Sequence, residues 1–262
     1  MADVPGTQSI GRAASVLRAV SVAMPAGIGT SSAAVATGLS RPTAHRILTS
    51  LAAEGFLDHD AATGRWLLGP ELYLLGAIAA ERYDVTELAR GSVRELAAAT
   101  GESAFFSARR GDETVCLLRE EGSFPIRSFV LHEGVRFPLG VASAGLAILA
   151  FLPDEAVTAY LSSADLTDRY GPSHAARPLR RRIAATRSTG YSVNPGLIVE
   201  GSWGMGAAVF DPSGRPAWAL SLTGIESRFN RDRQPELGRL LLEQAHLVTQ
   251  RIRALGSPAR RG

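Results

Sequence analysis

At 262 residues, 45% apolar and 20% charged, with a mean hydropathy of +0.06, the chain has the make-up of a soluble globular protein with one large or two ordinary domains. No stretch approaches the roughly 18 uninterrupted apolar residues of a membrane helix, and the opening MADVPGTQSIGR lacks the apolar centre of a secretory signal. The net charge of +3 permits nucleic-acid binding without requiring it, and the lone Cys116 builds no disulfide framework, so a reducing, cytoplasmic setting is expected. All 28 basic residues are arginine, a usage that fits phosphate and base-edge contacts but equally a GC-rich genome.

Taken in chain order, the first segment reads as a helix capped by Ser9, with Ile10, Ala13, Ala14, Leu17, Val20 and Met24 at helical spacing. Pro25, Gly27 and Gly29 break it. SSAAVATG, residues 31–38, suits a short second helix opened by Thr30 or Ser31 and stopped by Gly38. Ser40 can cap a third helix running from Arg41 to about Glu54, with Gly55 as its stop. FLDHD and RWLLG then read as two strands joined by AATG, in which Gly64 can take a left-handed conformation. Three helices and a hairpin predict a winged helix-turn-helix over residues 1–69.

A linker helix is expected at 70–84, with proline in its first turn and Leu72, Leu75 and Ala79 apolar. A longer helix follows from Val85 to Thr100. Then SAFFSAR and ETVCLLR flank a hairpin signal, and 126–131 is a further strand candidate. ASAGLAILAFL resembles a buried helix, PDEAVTAYL an amphipathic one, and 175–189 an arginine-rich helix ending at Gly190. GMGAAVFD and PAWALSLTG are strands around PSGR, and a last helix runs from Gln234 to about Leu255. The mixture predicts an α+β sensor-like domain over 85–256 and a disordered tail, 257–262.

The third helix carries the sharpest functional signal. On a helical projection Ala44, Ile47, Leu48 and Leu51 share one face, which must pack on the first two helices. Pro42, Arg46, Thr49 and Ala53 share the opposite face, flanked by Thr43 and His45. That face is small or polar near its N-terminal end, as entry into a major groove about 12 Å wide requires. Arg46 is the candidate for a guanine or phosphate contact, with Ser40, Arg41, Pro42, Thr43, His45 and Thr49 beside it and Arg65 on the wing. An ordinary solvated helix face has the same periodicity, and the surrounding helix–turn–helix–wing order favours DNA.

The segments SIGRAASVLRAV, GLSRPTAHRILTSLAAEGFLDHDAATGRWLLGPEL, FPLGVASAGLAILAFLPDE, GYSVNPG and FDPSGRPAWALSLTG together resemble the IclR family of bacterial transcriptional regulators. The resemblance implies a winged helix, a dimerising linker helix, a GAF-like effector domain, and homodimers or homotetramers bound to double-stranded operator DNA. It also implies a pocket for a small organic effector at Ile126, Phe129, Leu139, Ser143, Ala144, Asn194, Gly204, Ser221 and Thr223, to which Met205 is added as a neighbour of Gly204. Ser221 and Thr223 are two apart in a strand and face the same way, and Ser143 opens a helix whose N–H groups favour a polar oxygen. Each of these residues could also be ordinary core.

Many relatives have an acid where Asn194 stands, a cysteine at Gly204 and a cation at Leu146. Their loss points to a neutral or monoanionic, partly apolar effector, aromatic or alicyclic, and the expected role is repression of a catabolic operon. Two other readings remain open. Ser143, with Asp165, Asp168, His174 and His246 behind it, follows the order of an α/β-hydrolase, but position 141 is valine where a nucleophile elbow needs glycine. No phosphate loop or metal-ligand spacing is present, so no enzyme, cofactor or metal is expected. The second domain could also oligomerise without binding a ligand. The RPLRRR run in 177–189 reads as a solvated face more readily than as a second DNA site.

Overall fold

The computed structural model describes residues 8–80, 85–126 and 130–256. The chain divides into two compact units, Met1–Tyr83 and Asp84–Gly262.

The first unit contains α1 (Gln8–Val22), β1 (Ile28–Gly29), α2 (Thr30–Thr37), α3 (Arg41–Ala53), β2 (Leu57–Asp60), β3 (Arg65–Leu68) and α4 (Pro70–Ala80). Ser9 lies inside α1 rather than capping it, and the core stripe of that helix is Val16 and Val20. Ile10 is exposed, and Met24 lies beyond the helix end. Helix α2 begins at Thr30 with no side-chain cap, because its N-cap residue is Gly29, and the Thr30 hydroxyl instead accepts a hydrogen bond from Trp66 Nε1 at 2.9 Å. Its C-cap is Gly38 in the left-handed conformation, as expected. The predicted hairpin β2–β3 gains an unforeseen third strand, β1, paired to β3 through Ile28↔Trp66. Val16, Val20, Ile28, Ala33, Leu48, Leu57 and Trp66 form its core.

The second unit contains α5 (Val85–Thr100), β4 (Ser103–Arg110), β5 (Glu113–Glu120), β6 (Arg136–Pro138), α6 (Ser143–Ala150), α7 (Asp154–Ser163), α8 (Thr167–Tyr170), α9 (Ala176–Thr189), β7 (Tyr191–Pro195), β8 (Ser202–Phe210), β9 (Pro216–Ile225) and α10 (Gln234–Gly256). Its six-stranded antiparallel sheet has the order β6-β5-β4-β9-β8-β7. The expected strand at 126–131 is absent among its described residues: Ile126 and Val130 sit in bends, and Leu131 is irregular. The short strands β6 and β7 were not foreseen.

Helices cover both faces of the sheet, which is why β8 and β9 are buried almost continuously rather than alternately. Met205, Ala207 and Val209 of β8 and Leu220 and Leu222 of β9 pack with Ala89, Val93 and Leu96 of α5 and Leu237, Leu241 and Val248 of α10. The opposite face receives α6, whose eight residues are all buried, with α7 and α9 outside it. Two glycines permit the close approach of α6 to β8. A Cβ on Gly206 would lie 3.1 Å from the Ser143 carbonyl, and one on Gly204 would lie 3.0 Å from Ser143 Oγ. The α+β class, with a winged helix followed by a GAF-like domain, is the architecture observed.

Candidate DNA interface and effector pocket

Helix α3 is oriented by its own sequence. Ser40 Oγ accepts the Thr43 N–H at 3.4 Å and lies 2.8 Å from Thr43 Oγ1, so these two hydroxyls serve the helix cap. Ala44 and Leu48 are buried against α1 and α2, which turns Arg41, Pro42, His45, Arg46 and Thr49 to solvent. Among the described residues neither Arg41 nor Arg46 makes an ion pair, so both guanidiniums keep their donors available. Arg46 also borders a groove of about 410 Å³ between α1 and α3, with Arg12 and Glu54.

The wing is built around Trp66. Its ring is tilted against His59 at a centroid distance of 4.3 Å and meets the His45 ring edge-on at 6.3 Å. Arg65 is exposed but its Nη1 donates to the Gly27 carbonyl at 2.8 Å, which ties the wing base to the segment before α2. At the wing tip Asp60 accepts from Thr63 Oγ1 at 2.6 Å and from the Ala62 N–H at 2.9 Å. Those two bonds, the hydroxyl first, hold its carboxyl below the usual range. Gly64 follows with φ +67°.

On the α6 side of the larger sheet, Val130, Leu131, Ser143, Asn194, Ile198, Ser202, Trp203, Gly204 and Thr223 enclose a cavity of about 20 Å³. The structure thus brings together Ser143, Asn194, Gly204 and Thr223 of the expected set. Ser221 shares their face one pair along the strand, opposite Gly206. Ser103 of β4 lies opposite Thr223 in register, and sequence reading missed it. Three buried hydroxyls, Ser103 Oγ, Ser221 Oγ and Thr223 Oγ1, have no hydrogen-bond partner among the described residues. Asn194, by contrast, is committed at both ends: Nδ2 donates to the Val141 carbonyl at 2.7 Å, and Oδ1 accepts the Leu197 N–H at 2.9 Å. It pins the segment after β7 to the turn before α6.

The remaining expected positions lie elsewhere. Met205 points to the opposite face of the sheet, in the α5–α10 core, because neighbours on a strand alternate and Gly204 takes the cavity side. Ile126 is 58% exposed, away from the cavity. Leu139 and Ala144 are buried in the core around α6. Phe129 lies outside the described residues. Cys116 is buried beside Phe105 and Leu131, and burial pushes its thiol up to about 12, where it is unreactive. Among the described residues no cluster of three His, Cys, Asp or Glu could hold a metal, and no helix is long and apolar enough to cross a membrane.

Family models match both units. The IclR helix-turn-helix domain matches residues 9–61, and the bacterial transcriptional regulator IclR C-terminal domain matches residues 77–250. The chain belongs to the IclR family. It is 29% identical over 218 residues to the HTH-type transcriptional regulator KipR of Bacillus subtilis, covering 82% of this chain and 86% of that one. It is 26% identical over 218 residues to the transcriptional repressor IclR of Escherichia coli, covering 81% and 78%.

Among solved IclR structures, one from Alicyclobacillus acidocaldarius superposes with a TM-score of 0.77 at 26% identity, covering 95% of this chain and 99% of that one. An IclR homolog from Microbacterium hydrocarbonoxydans, solved in complex with 4-hydroxybenzoate, shares the fold with a TM-score of 0.75 at 23% identity, covering 94% and 99%. The family and its relatives are named as transcriptional regulators, which gives the hydrolase reading of Ser143 no support. In this IclR-family chain Ser143 is 2% exposed beneath β8, a poor position for a nucleophile.

Proposed function

We propose that this IclR-family regulator acts as a cytoplasmic repressor of a catabolic operon whose operator affinity is set by a small organic effector. A dimer places two α3 helices in successive major grooves of a pseudo-palindromic operator, with the wings on the flanking backbone. The observation that carries the DNA reading is the solvent-facing row Arg41, His45, Arg46 and Thr49, with both arginines free of ion pairs. Arg46 reads a base edge, Arg41 and Arg65 contact phosphate, and Ser40 and Thr43 keep the helix start in shape. The dimer joins through α4, whose Tyr73, Leu74, Leu75 and Ile78 are exposed by 78, 53, 47 and 67%. Relatives named as repressors, including the acetate operon repressor of Salmonella typhimurium at 26% identity, support the sign of regulation.

The Arg46→Ala variant is expected to lose about 1–3 kcal/mol of operator binding, read by fluorescence anisotropy on DNA from upstream of the gene and its neighbours. The loss should spare non-specific binding. Equal weakening on unrelated DNA would make Arg46 a phosphate contact, and no change on any DNA would remove α3 from the interface.

The effector seats on the α6 side of the sheet, contacting Ser143, Gly204, Ser221 and Thr223, with Ser103 as an added donor. A partly apolar, neutral or monoanionic molecule, aromatic or alicyclic, matches a lining of Leu131, Val130 and Ile198 with a few hydroxyls. A cavity of about 20 Å³ is far below the roughly 300–1,000 Å³ of ligand sites, so binding must displace part of its lining. That displacement is what couples the effector to DNA, provided the ligand prefers one arrangement over the other.

Thr223→Val is expected to leave the stability of the free protein within about 1 kcal/mol, because the hydroxyl it removes has no partner. The same change should weaken the effector by tenfold or more in calorimetry. Unaltered affinity would move the effector off β9.

The small cavity also favours a second reading, in which the domain only assembles. A ligand at 100 times its dissociation constant stabilises by about 2.7 kcal/mol, so a thermal-shift panel that includes aromatic and alicyclic acids and stays silent would select that reading.

A further inference from the structure

The sequence of α9, ARPLRRRIAATRST, contains five arginines that do not share one environment. Leu179, Ile183 and Thr186 are buried, and Arg182 lies on their side of the helix, so its stem is drawn toward the core. Arg177, Arg180 and Arg181 face solvent, and Arg187 pairs with Asp154 at 2.7 Å. Among the described residues Arg182 has no carboxylate partner. Its Nη2 donates to the Ser173 carbonyl at 3.2 Å, while Nε and Nη1 are enclosed without any acceptor. Burial alone lowers its pKa to about 10, which leaves the group charged at neutral pH.

The surroundings add no negative charge. Arg182 lines a recess of about 300 Å³ with Ser173, Pro178, Arg181, Ala185 and Leu197, none of them acidic. The adjacent His174 is buried, with Nδ1 on the Tyr170 carbonyl. Its pKa is depressed, by burial first and by Arg182 among the other causes. The same protein treats a buried charge differently elsewhere: the Glu102 carboxylate receives two guanidiniums within 2.8 Å. An enclosed cation with unused donors is costly unless an anion completes it.

We propose that the recess beside Arg182 binds a small oxyanion, the phosphate or carboxylate group of a metabolite, with exposed Arg181 flanking it and Arg182 turning its enclosed Nε and Nη1 toward the anion as the principal donor. The recess is concave and at the small end of ligand-site volumes, which suits a small molecule better than a DNA backbone. It shares no lining residue with the cavity beneath β8. The two approach each other at consecutive residues, Leu197 on the recess and Ile198 on the cavity.

The test uses the full chain in thermal-shift titrations with inorganic phosphate or acetate, against chloride at matched ionic strength. One probe is expected to raise the melting temperature saturably in the millimolar range, and the tighter of the two identifies the group recognised. Arg182→Gln should raise the half-saturating concentration tenfold or more. Ala185→Glu, at an exposed position three residues from Arg182 on α9, places a carboxylate in the recess and should abolish the response while the protein folds as before. It decides the matter should Arg182→Gln fail to fold. The proposal is overturned by the absence of a saturable response to either probe, or by an Ala185→Glu protein that responds like the wild type.

Discussion

Glu102→Ala is expected to destabilise the second unit by about 3–5 kcal/mol, the typical cost of removing one partner from a buried ion pair. The carboxylate side chain is 1% exposed and receives Arg228 Nε at 2.7 Å and Arg233 Nη1 at 2.8 Å on the same oxygen. Both arginines also donate to the Thr100 carbonyl, at 3.1 and 2.6 Å, and the Arg228 guanidinium lies 4.6 Å from the Phe124 ring centroid. The hub thus joins the end of α5, the start of β4, the turn after β9 and the loop after β5. Without Glu102 two guanidiniums face each other with no counter-charge. In denaturant unfolding the midpoint should fall while the slope is kept. A triple variant, Glu102→Met with Arg228→Leu and Arg233→Leu, should lose less than the single one, since the penalty lies in the stranded charge. A loss below about 1 kcal/mol for Glu102→Ala would instead mark the hub as a solvent-screened pair.

Trp66→Ala is expected to cost the first unit about 3–5 kcal/mol, most of what a domain of that size can supply. Trp66 is 4% exposed and sits among Val16, Val20, Ile28, Leu48 and Leu57. It holds β1 beside the hairpin through Ile28↔Trp66, and its Nε1–H reaches across to Thr30 at the start of α2. Its removal takes out the ring that α2, α3 and the wing share. Hydrogen exchange should show the amides of α1–α3 losing protection while those of β4, β8 and β9 keep theirs. Operator binding should vanish at the same temperature at which the second unit is intact. Trp66→Phe should restore part of the loss, through area but not through the hydrogen bond. Unchanged protection in α3 would show that the wing is dispensable to the unit.

The longer helices and the long strands were legible because most of them carry their own boundary signals, whereas the four-residue α8 was not foreseen. Ser40, Gly38, Gly64 and Gly190 occupy the cap or turn positions that their side chains or their lack of one require. Strands β1, β6 and β7 carry no such signal: two, three and five residues long, they exist because a neighbour pairs with them. Ile126, Val130 and Leu131, the described residues of the stretch 126–131, have strand-forming composition but lie in no strand, which composition alone does not reveal. At the candidate effector site, Ser221 and Thr223 face the same side of β9, as their period-two spacing requires. The same argument, applied to Gly204 and Met205, already forbids both from facing one cavity. Ser103 escaped notice because its place opposite Thr223 depends on register between strands more than a hundred residues apart, which no local pattern encodes.

The two sheets also end in a particular way. The larger one closes on β6, three residues long and bearing Arg136, and on β7, which finishes at Pro195. The smaller closes on the two-residue β1 and on β2, where Asp58 and Asp60 sit. Each border is too short, too charged or too poor in free amide donors to template another chain by strand addition. An exposed strand border is where a folded chain can recruit another by backbone pairing. Borders of this kind disfavour such pairing, so that contacts between copies would fall to side chains on helices.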